Sequence, residues 1–362
     1  MTAARRVLVS GWVGADNVGD ELIFRSLAIK LGERGAAVTT MSTRPDATRR
    51  LHGADAIGWS NATGTLAAIR SADGLILGPG GILQDETSVW NLPAHLHRVF
   101  LSRVARTPVL GMGLGVGPLR SSTGRSLVHA ALRSVPVTVR DEDSGVLARS
   151  CGLRDVTVTA DLAFGLPIPA AKPADRIVAS LRPFSGGGGL LPARRSDMRV
   201  LSTDERIRAA ASALDELSRR ASLPVHLLAL EPERDARYHD LIADQMTTSV
   251  TTGIATIDTV FNEFARSRLA VAMRYHAAVS AIMAARPVVV IGYSPKARSI
   301  ANLLGPGGLL VTNNPAAYPE IAKGFDLIKR ETDVAAVRTD LRHAERRNDN
   351  VLDDFLSRIT AR

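Results

Sequence analysis

"VAMRYHAAVSAIMAARPVVVIGYSPKA", residues 271–297, reads as a strand, a short polar break, a helix and a second strand. Apolar strands that alternate with helices belong to a parallel sheet with helices on both faces. The polar break places Arg274 and His276 two residues apart, where the helix should begin. In an extended chain, residues i and i+2 face one side. An arginine and a histidine would then project together beside a helix N-terminus, where anions bind. The blander reading is a surface arginine next to a packed histidine.

The same alternation runs outward from this stretch. "RVLVSGW" (6–12) is a short apolar run followed by a glycine-containing polar loop, and "ELIFRSLAIKLGERG" (21–35) has helical periodicity, with Gly35 as its stop. Strands are predicted at 36–43, 74–80 and 107–115, at the start of 135–152, and in "DVTVTADLAFGL" (155–166), with helices at 64–73 and 89–105 and in the second part of 135–152. Residues 167–176, "PIPAAKPADR", read as a linker. The pattern then restarts with strand 177–183, a glycine-rich loop, helix 203–220, strand 224–230, helices 234–246 and 258–267, and the opening stretch. The fold class expected is α/β: two Rossmann-like domains facing a cleft, spanning 1–170 and 177–315, followed by a helical tail over 316–362. In open parallel sheets, ligands bind beyond the C-terminal ends of the strands, so the loops that follow strands carry the functional reading.

Composition narrows the classes. At 362 residues, with 45% hydrophobic and 22% charged residues, the chain has the size and balance of a soluble α/β protein with two cores. No apolar run approaches the length of about 18 residues that a membrane span needs, and "MTAARR" leads into a strand rather than a signal peptide. The single cysteine, Cys151, reads as a small buried hydrophobe in a reducing compartment. The net charge of +9 comes mainly from arginine; the lysines are only Lys30, Lys172, Lys296, Lys323 and Lys329. Genomic bias would explain it, and so would an anionic partner such as a phosphorylated substrate or an acidic lipid headgroup. Nucleic acid is not expected: aromatics are 4%, and no basic run is interleaved with stacking residues.

Several loops are candidate sites. "GWVGADNVGDELI" (11–23) follows the first strand and opens the first helix, with Asp20 or Glu21 as its cap. "GPGGILQDE" (78–86) and "GMGLGVGP" (111–118) follow later strands, and their glycines allow close approach of backbone to ligand or to a neighbouring element. Arg140, in "VRDEDSGV" (139–146), ends a strand before three acids, with Asp143 or Ser144 as the next helix cap. It would clamp an anion or pair with Asp141 or Glu142. Arg182, in "ASLRPFSGGGG" (179–189), ends the first strand of the second half, beside glycines suited to a mobile lid. His95 and His97 fall on different sides of a helix. The chain has no G-x-G-x-x-G, no G-K-[ST], no H-E-x-x-H, no C-x-x-C and no G-x-S-x-G. No metal or bound cofactor is therefore expected.

Taken in order, "GADNVGDELI", "GPGGILQDE", "LGMGLGVGP", "VRDEDSGVL", "ADLAF", "SLRP" and "MRYHAAVSAIMAARPVVVIGYSPK" resemble the polysaccharide pyruvyl transferase family over most of residues 7–305. The family's Arg-x-His stretch often has Leu in the middle, where this chain has Tyr275. The resemblance implies a GT-B-type pair of domains that transfers pyruvate from phosphoenolpyruvate onto two hydroxyls of a sugar, forming a cyclic ketal and releasing phosphate. It places Arg274 and His276 at the phosphoenolpyruvate site, with Arg140 or Arg182 as a second donor clamp and Lys296 as a further anion contact. Asn17, Gly19, Asp20, Glu21, Gly80, Gly81 and Asp85 would line the acceptor cleft.

The chemistry agrees with these residue types. Arginine binds carboxylate and phosphate bidentately and stays charged. Imidazole exchanges protons near neutral pH and serves as both acid and base, typically for about 10²–10⁴-fold in rate. The acceptor is expected to be a glycan or glycolipid precursor, lipid-linked ones included, since most such precursors are built at the inner membrane face. The protein is then expected in the cytoplasm, and its basic charge is compatible with loose attachment there, worth about 1 kcal/mol per well-placed Lys or Arg. Two rivals remain. One is a GT-B glycosyltransferase using a nucleotide sugar, although the pair of Glu residues eight apart that many retaining members carry is missing. The other is a non-catalytic module that binds sugar or anion.

Overall fold

The computed structural model describes residues 4–86, 88–172, 174–183, 203–292, 295–330 and 333–359, with backbone only for 295–297. The first sheet is built from β1 (Arg6–Val13), β2 (Ala37–Ser42), β3 (Asp55–Gly58), β4 (Gly74–Leu77), β5 (Gly80–Leu83), β6 (Val109–Val116), β7 (Val137–Val139) and β8 (Val156–Val158). Its order is β3-β2-β1-β4-β6-β7-β8, with β5 also on β6. The second sheet holds β9 (Ile177–Ser180), β10 (Val225–Ala229), β11 (Val250–Ile254), β12 (Leu269–Ala272), β13 (Val288–Gly292) and β14 (Gly308–Thr312), in the order β11-β10-β9-β12-β13-β14. Every strand pairing among the described residues is parallel.

The central strands form for the reason the sequence suggests. Leu269–Ala272 and Ile177–Ser180 are buried along their whole length, as strands covered by helices on both faces must be. The edge strands β3, β11 and β14 escape the sequence reading. They present only one buried face or less: β11, "VTTGI", has no buried residue, and β3 and β14 have one each. β3 and β11 offer no apolar run and β14 only Leu309–Val311, so the sequence reading assigns none of them a strand. Likewise "GGIL" in the glycine cluster at 78–86 is a strand, β5, rather than a loop.

In each sheet the chain runs one way from the first strand and then returns to build the other side. The strand order therefore reverses between β1 and β4 in the first sheet and between β9 and β12 in the second. A crevice opens at such a point beyond the strand ends. The loops singled out from sequence leave these four strands: 14–17 after β1, 78–79 after β4, Arg182 after β9, and Arg274–His276 after β12.

The two halves share one continuous apolar core. It includes Phe24 and Leu27 of the first helix (Val18–Glu33), Phe164 after β8, Leu228 and Leu230, and Ala277–Met283 of the helix that follows β12 (Tyr275–Met283). Residues beyond 316 go two ways. Tyr318, Ile321 and Leu327 pack on the second sheet. The helices Val334–Glu345 and Arg347–Arg358 cross back to the first half. There Lys30 meets Glu345 at 3.1 Å and Asp349 at 3.0 Å, and Arg342 donates to the carbonyls of Phe164 and Leu166. Leu352, Phe355 and Ile359 complete the shared core.

Because Phe355 is buried in that returning helix, Phe355→Ala is expected to lower unfolding free energy by about 3–5 kcal/mol. A denaturant melt that finds a loss below about 1 kcal/mol would show that the crossing helices do not carry the core.

Candidate functional site

The loop after β1 ends in a helix start built by Asn17. Its Oδ1 accepts the Gly19 N–H at 3.0 Å, so Asn17 is the cap, not Asp20 or Glu21. The two acids instead lie in the first helical turn, where carboxylates complement the helix dipole. Glu21 is fully used: Oε1 accepts the Gly14 N–H at 2.7 Å and Oε2 stands 2.7 Å from His52 Nε2. Asp20 turns the other way, with Oδ1 over Gly80 at the start of β5. Burial pushes its carboxyl up to about 6, opposed by the positive charges of His276 and Arg140 and reinforced by Glu21 and Glu231.

In the second half the break after β12 is shorter than the sequence suggests. The helix begins at Tyr275, with Arg274 as its N-cap residue in extended conformation. Arg274 and His276 therefore do not project to one side. Arg274 turns back within its own half. Its Nε and Nη2 donate to Asp235 at 2.6 and 2.5 Å, and Nη1 lies 2.7 Å from Glu231. His276 turns toward the first half, where its Nε2 is 3.5 Å from Asp161 Oδ2. Gly19 makes this possible: a Cβ there would stand 2.0 Å from His276 Nδ1, so any larger residue displaces the ring.

Asp161 follows β8 and caps the turn Leu162–Gly165, with Oδ1 accepting the Ala163 N–H at 3.0 Å. Burial alone would raise its pKa, but His276, Arg140 and that N–H outweigh burial and hold it at about 2. Arg140, at the end of β7, donates to the same Asp161 Oδ2 at 3.3 Å and lies 3.6 Å from Asp141. Its Cζ sits 3.8 Å over the Tyr275 ring. The guanidinium fits against Gly115, where a Cβ would come within 3.0 Å of three of its atoms. Asp141, rather than Asp143 or Ser144, caps the next helix, accepting the Ser144 N–H at 2.7 Å.

The candidates thus separate. Gly19, Asp20, Gly80, Arg140 and His276 come together between the two sheets, with Asn17 holding the helix start. Arg182 leaves β9 in register with Arg274 on β12, since Ser180 pairs with Ala272; it is half-buried beside the same crevice. Gly81 lies within β5. Asp85 is turned away: it accepts the N–H groups of Arg120 and Ser121 and the Ser121 hydroxyl, which lowers its pKa against burial. The Lys296 side chain and the glycine-rich stretch proposed as a lid (185–189) lie outside the described residues.

Sequence reasoning missed Asp161 as a site residue, as well as Asp235 and Glu231. "ADLAF" and "EPERD" contain them without any spacing that announces a role. Tyr275, taken as a neutral departure from the usual Leu, is the ring on which Arg140 stacks.

The local charge is a second correction to composition. Among the described residues of this cluster, Arg140 meets Asp141 and Asp161, Arg274 meets Glu231 and Asp235, and Asp20 stands beside Glu21, so carboxylates outnumber these guanidinium groups despite the chain's net charge of +9. The helix N-terminus at Tyr275 has no side-chain cap among the described residues, which leaves N–H groups to meet an anion. A histidine against an ionised carboxylate, with a second carboxyl able to hold a proton, can move protons. No group of three or more His, Cys, Asp or Glu is arranged to hold a metal among the described residues. No helix there is long and apolar enough to cross a membrane.

The chain is similar in fold to solved structures of an epimerase and of glycosyltransferases. UDP-GlcNAc 2-epimerase from Neisseria meningitidis, bound to UDP-GlcNAc, superposes with a TM-score of 0.62 at 12% identity, covering 97% of this chain and 99% of that one. A glycosyltransferase from Rickettsia africae gives 0.62 at 12% identity, covering 98% and 100%. The calicheamicin glycosyltransferase CalG4 gives 0.54 at 13% identity, covering 99% and 100%. The architecture is therefore that of the GT-B fold, two Rossmann-like domains. A search of curated protein sequences found no match. The sequence model of one family, described as polysaccharide pyruvyl transferase, matches residues 17–295, more than three quarters of the chain, including the loops that leave β4, β9 and β12. By that match the chain belongs to the polysaccharide pyruvyl transferase family.

Proposed function

We propose that the protein transfers pyruvate from phosphoenolpyruvate to two hydroxyls of a sugar in a glycan or glycolipid precursor, with His276 as the general acid and base. The observation that carries the reading is the His276–Asp161 pair at the junction of both strand-reversal points, 3.5 Å apart, with the ring seated on Gly19. Overall, C3 of the donor gains a proton, C2 gains two bonds to sugar oxygens, and the bond from C2 to the phosphate oxygen breaks. Of the two hydroxyl protons released, one ends on C3 and one on phosphate, so the site must both take and give protons. Asp161, held ionised, orients the imidazole and stabilises its charged form. Asp20, with its carboxyl raised to about 6, is a second proton holder near the ring. Arg140, Arg182, Lys296 and the N–H groups at Tyr275 are the proposed anion contacts, and Arg274 acts through the carboxylates that grip it. The acceptor side of the crevice is assigned to Asn17, Gly19, Asp20 and Gly80. No cofactor enters this scheme, and a place in the cytoplasm at the inner membrane face suits a lipid-linked acceptor.

The direct test is phosphate release from phosphoenolpyruvate with a panel of sugar acceptors. Wild type should show acceptor-dependent release, and His276→Gln should reduce it by at least about 10²-fold. No release with any acceptor, together with no thermal stabilisation by phosphoenolpyruvate, would reject the reading in favour of nucleotide-sugar chemistry or a binding role.

Asp20 gives a separate pH signature. Its folded-state pKa lies above the ordinary 3.8, so the protonated form is favoured by folding. The stability it contributes is present at low pH and is lost as pH rises through about 6. Asp20→Asn cannot ionise. Relative to wild type it should therefore gain stability between pH 4 and pH 8, by roughly 1–3 kcal/mol or a few degrees in Tm. Parallel melting curves across that range would contradict the assignment.

A further inference from the structure

Two of the chain's three tryptophans meet at the strand-end rim of the first sheet. Trp12 is near the end of β1 and Trp59 directly follows β3. Their ring centroids are 5.3 Å apart, edge to face, and Trp12 is 40% exposed. Trp59 is held from within. Arg98, on the helix Asn91–Val104, is only 1% exposed, places Cζ 4.0 Å over the Trp59 ring and donates through Nη2 to the Trp59 carbonyl at 3.0 Å. Its Nη1 donates to Ala94 at 2.8 Å, and its Nε has no hydrogen-bond partner among the described residues. Among the described residues it makes no ion pair to a carboxylate, and burial pulls its pKa down to about 10. His95 stands edge-on to both rings, 5.0 Å from Trp59 and 6.3 Å from Trp12, and burial pulls its pKa down to about 3, so it is neutral.

A buried cation without a counter-charge is costly. What it achieves here is a loop tryptophan fixed by both ring and carbonyl. The location matters as much. Alternation along β1 sends Val9 and Val13 to one face and Leu8 and Trp12 to the other. The loop that leaves this strand then carries Asn17, Gly19 and Asp20. The Trp59 backbone N–H donates to the Ser42 carbonyl at the end of β2, and the polar groups of this rim are those of Arg44, which bridges Asp16 at 2.6 Å and Glu233 of the second half at 2.9 Å. A rigid indole face beside hydrogen-bonding groups matches a ring that is apolar on its face and polar at its edge. A small dianionic donor offers no such face.

We infer that the Trp12–Trp59 surface is the platform on which a pyranose ring of the acceptor glycan stacks. The inference rests on the reading that the acceptor is a glycan, and the test separates the two. Saturation-transfer NMR would be recorded with lactose, cellobiose, N-acetyllactosamine and mannobiose, without phosphoenolpyruvate. At least one sugar should receive saturation at the C–H protons of one ring. Trp12→Ala should weaken that binding at least tenfold with an unchanged melting curve, and Trp12→Phe should keep it within about threefold. In the phosphate-release assay, Trp12→Ala should raise the acceptor KM to the same degree and leave the KM for phosphoenolpyruvate within twofold. The proposal is overturned if no sugar receives saturation, or if Trp12→Ala binds sugar as wild type does. It is also overturned if Trp12→Ala loses adsorption to phosphatidylglycerol vesicles while sugar binding is kept. Sugar binding that depends on Trp12 without any phosphate release would reject pyruvyl transfer and leave the platform standing.

Discussion

A closed ring of contacts fixes the crevice, and the seat of His276 on Gly19 is its narrowest link. Arg274, which caps the helix carrying His276, grips Asp235. Asp235 accepts the N–H groups of Leu230 and Glu231. The Leu230 carbonyl accepts the Val18 N–H of the other half at 3.0 Å. Val18 opens the helix on whose next residue, Gly19, the His276 ring rests. Each link is short and directional, so the distance from His276 to Asp161 is set by the packing of both halves rather than by their mutual attraction. The helices that cross back after Val334 close the same junction from the other side with apolar contact.

This ring also explains a division of labour that a pattern of residue types does not contain. A guanidinium bound bidentately by one carboxylate and touched by a second is a rigid strut. Arg274 can fix the angle of its helix because it is spent on Asp235 and Glu231, and this leaves the helix N-terminus open toward the crevice. His276, two residues further on, has no such partner in its own half among the described residues and reaches across to Asp161. The expectation that the two side chains act side by side assumed one more extended residue than the chain has; the helix starts at Tyr275, and the two side chains part.

Much of the fold was legible. The continuous apolar strands and their alternation with helices gave two parallel sheets, and the order of glycine-bearing loops pointed to the strand ends that meet. The edge strands β3, β11 and β14 were not legible, because β3 and β11 carry no apolar run and that of β14 is only Leu309–Val311. Nor were Asp161 and Asp235, since an aspartate in a turn or near a helix start looks the same whether it faces water, a buried imidazole or a guanidinium. Arg98 carries no signal in the sequence; only the fold reveals that it is buried over Trp59, with no ion pair to a carboxylate among the described residues.

Charge shows the same limit in its strongest form. A chain with net charge +9 suggests a positive crevice, yet the described residues around His276 carry more carboxylates than guanidinium groups. Net charge describes the surface, where arginines are solvated and screened. In the crevice the carboxylates are drawn in by helix starts and turns that need acceptors: Glu21 for the Gly14 N–H, Asp161 for Ala163, Asp141 for Ser144. Burial, reinforced by the charges of Glu21 and Glu231, lifts the Asp20 carboxyl to about 6, while Asp161, touched by His276 and Arg140, is driven low against its own burial. Two carboxyl groups of one kind thus end at opposite sides of the usual range within one small volume, one able to hold a proton and the other a fixed negative charge.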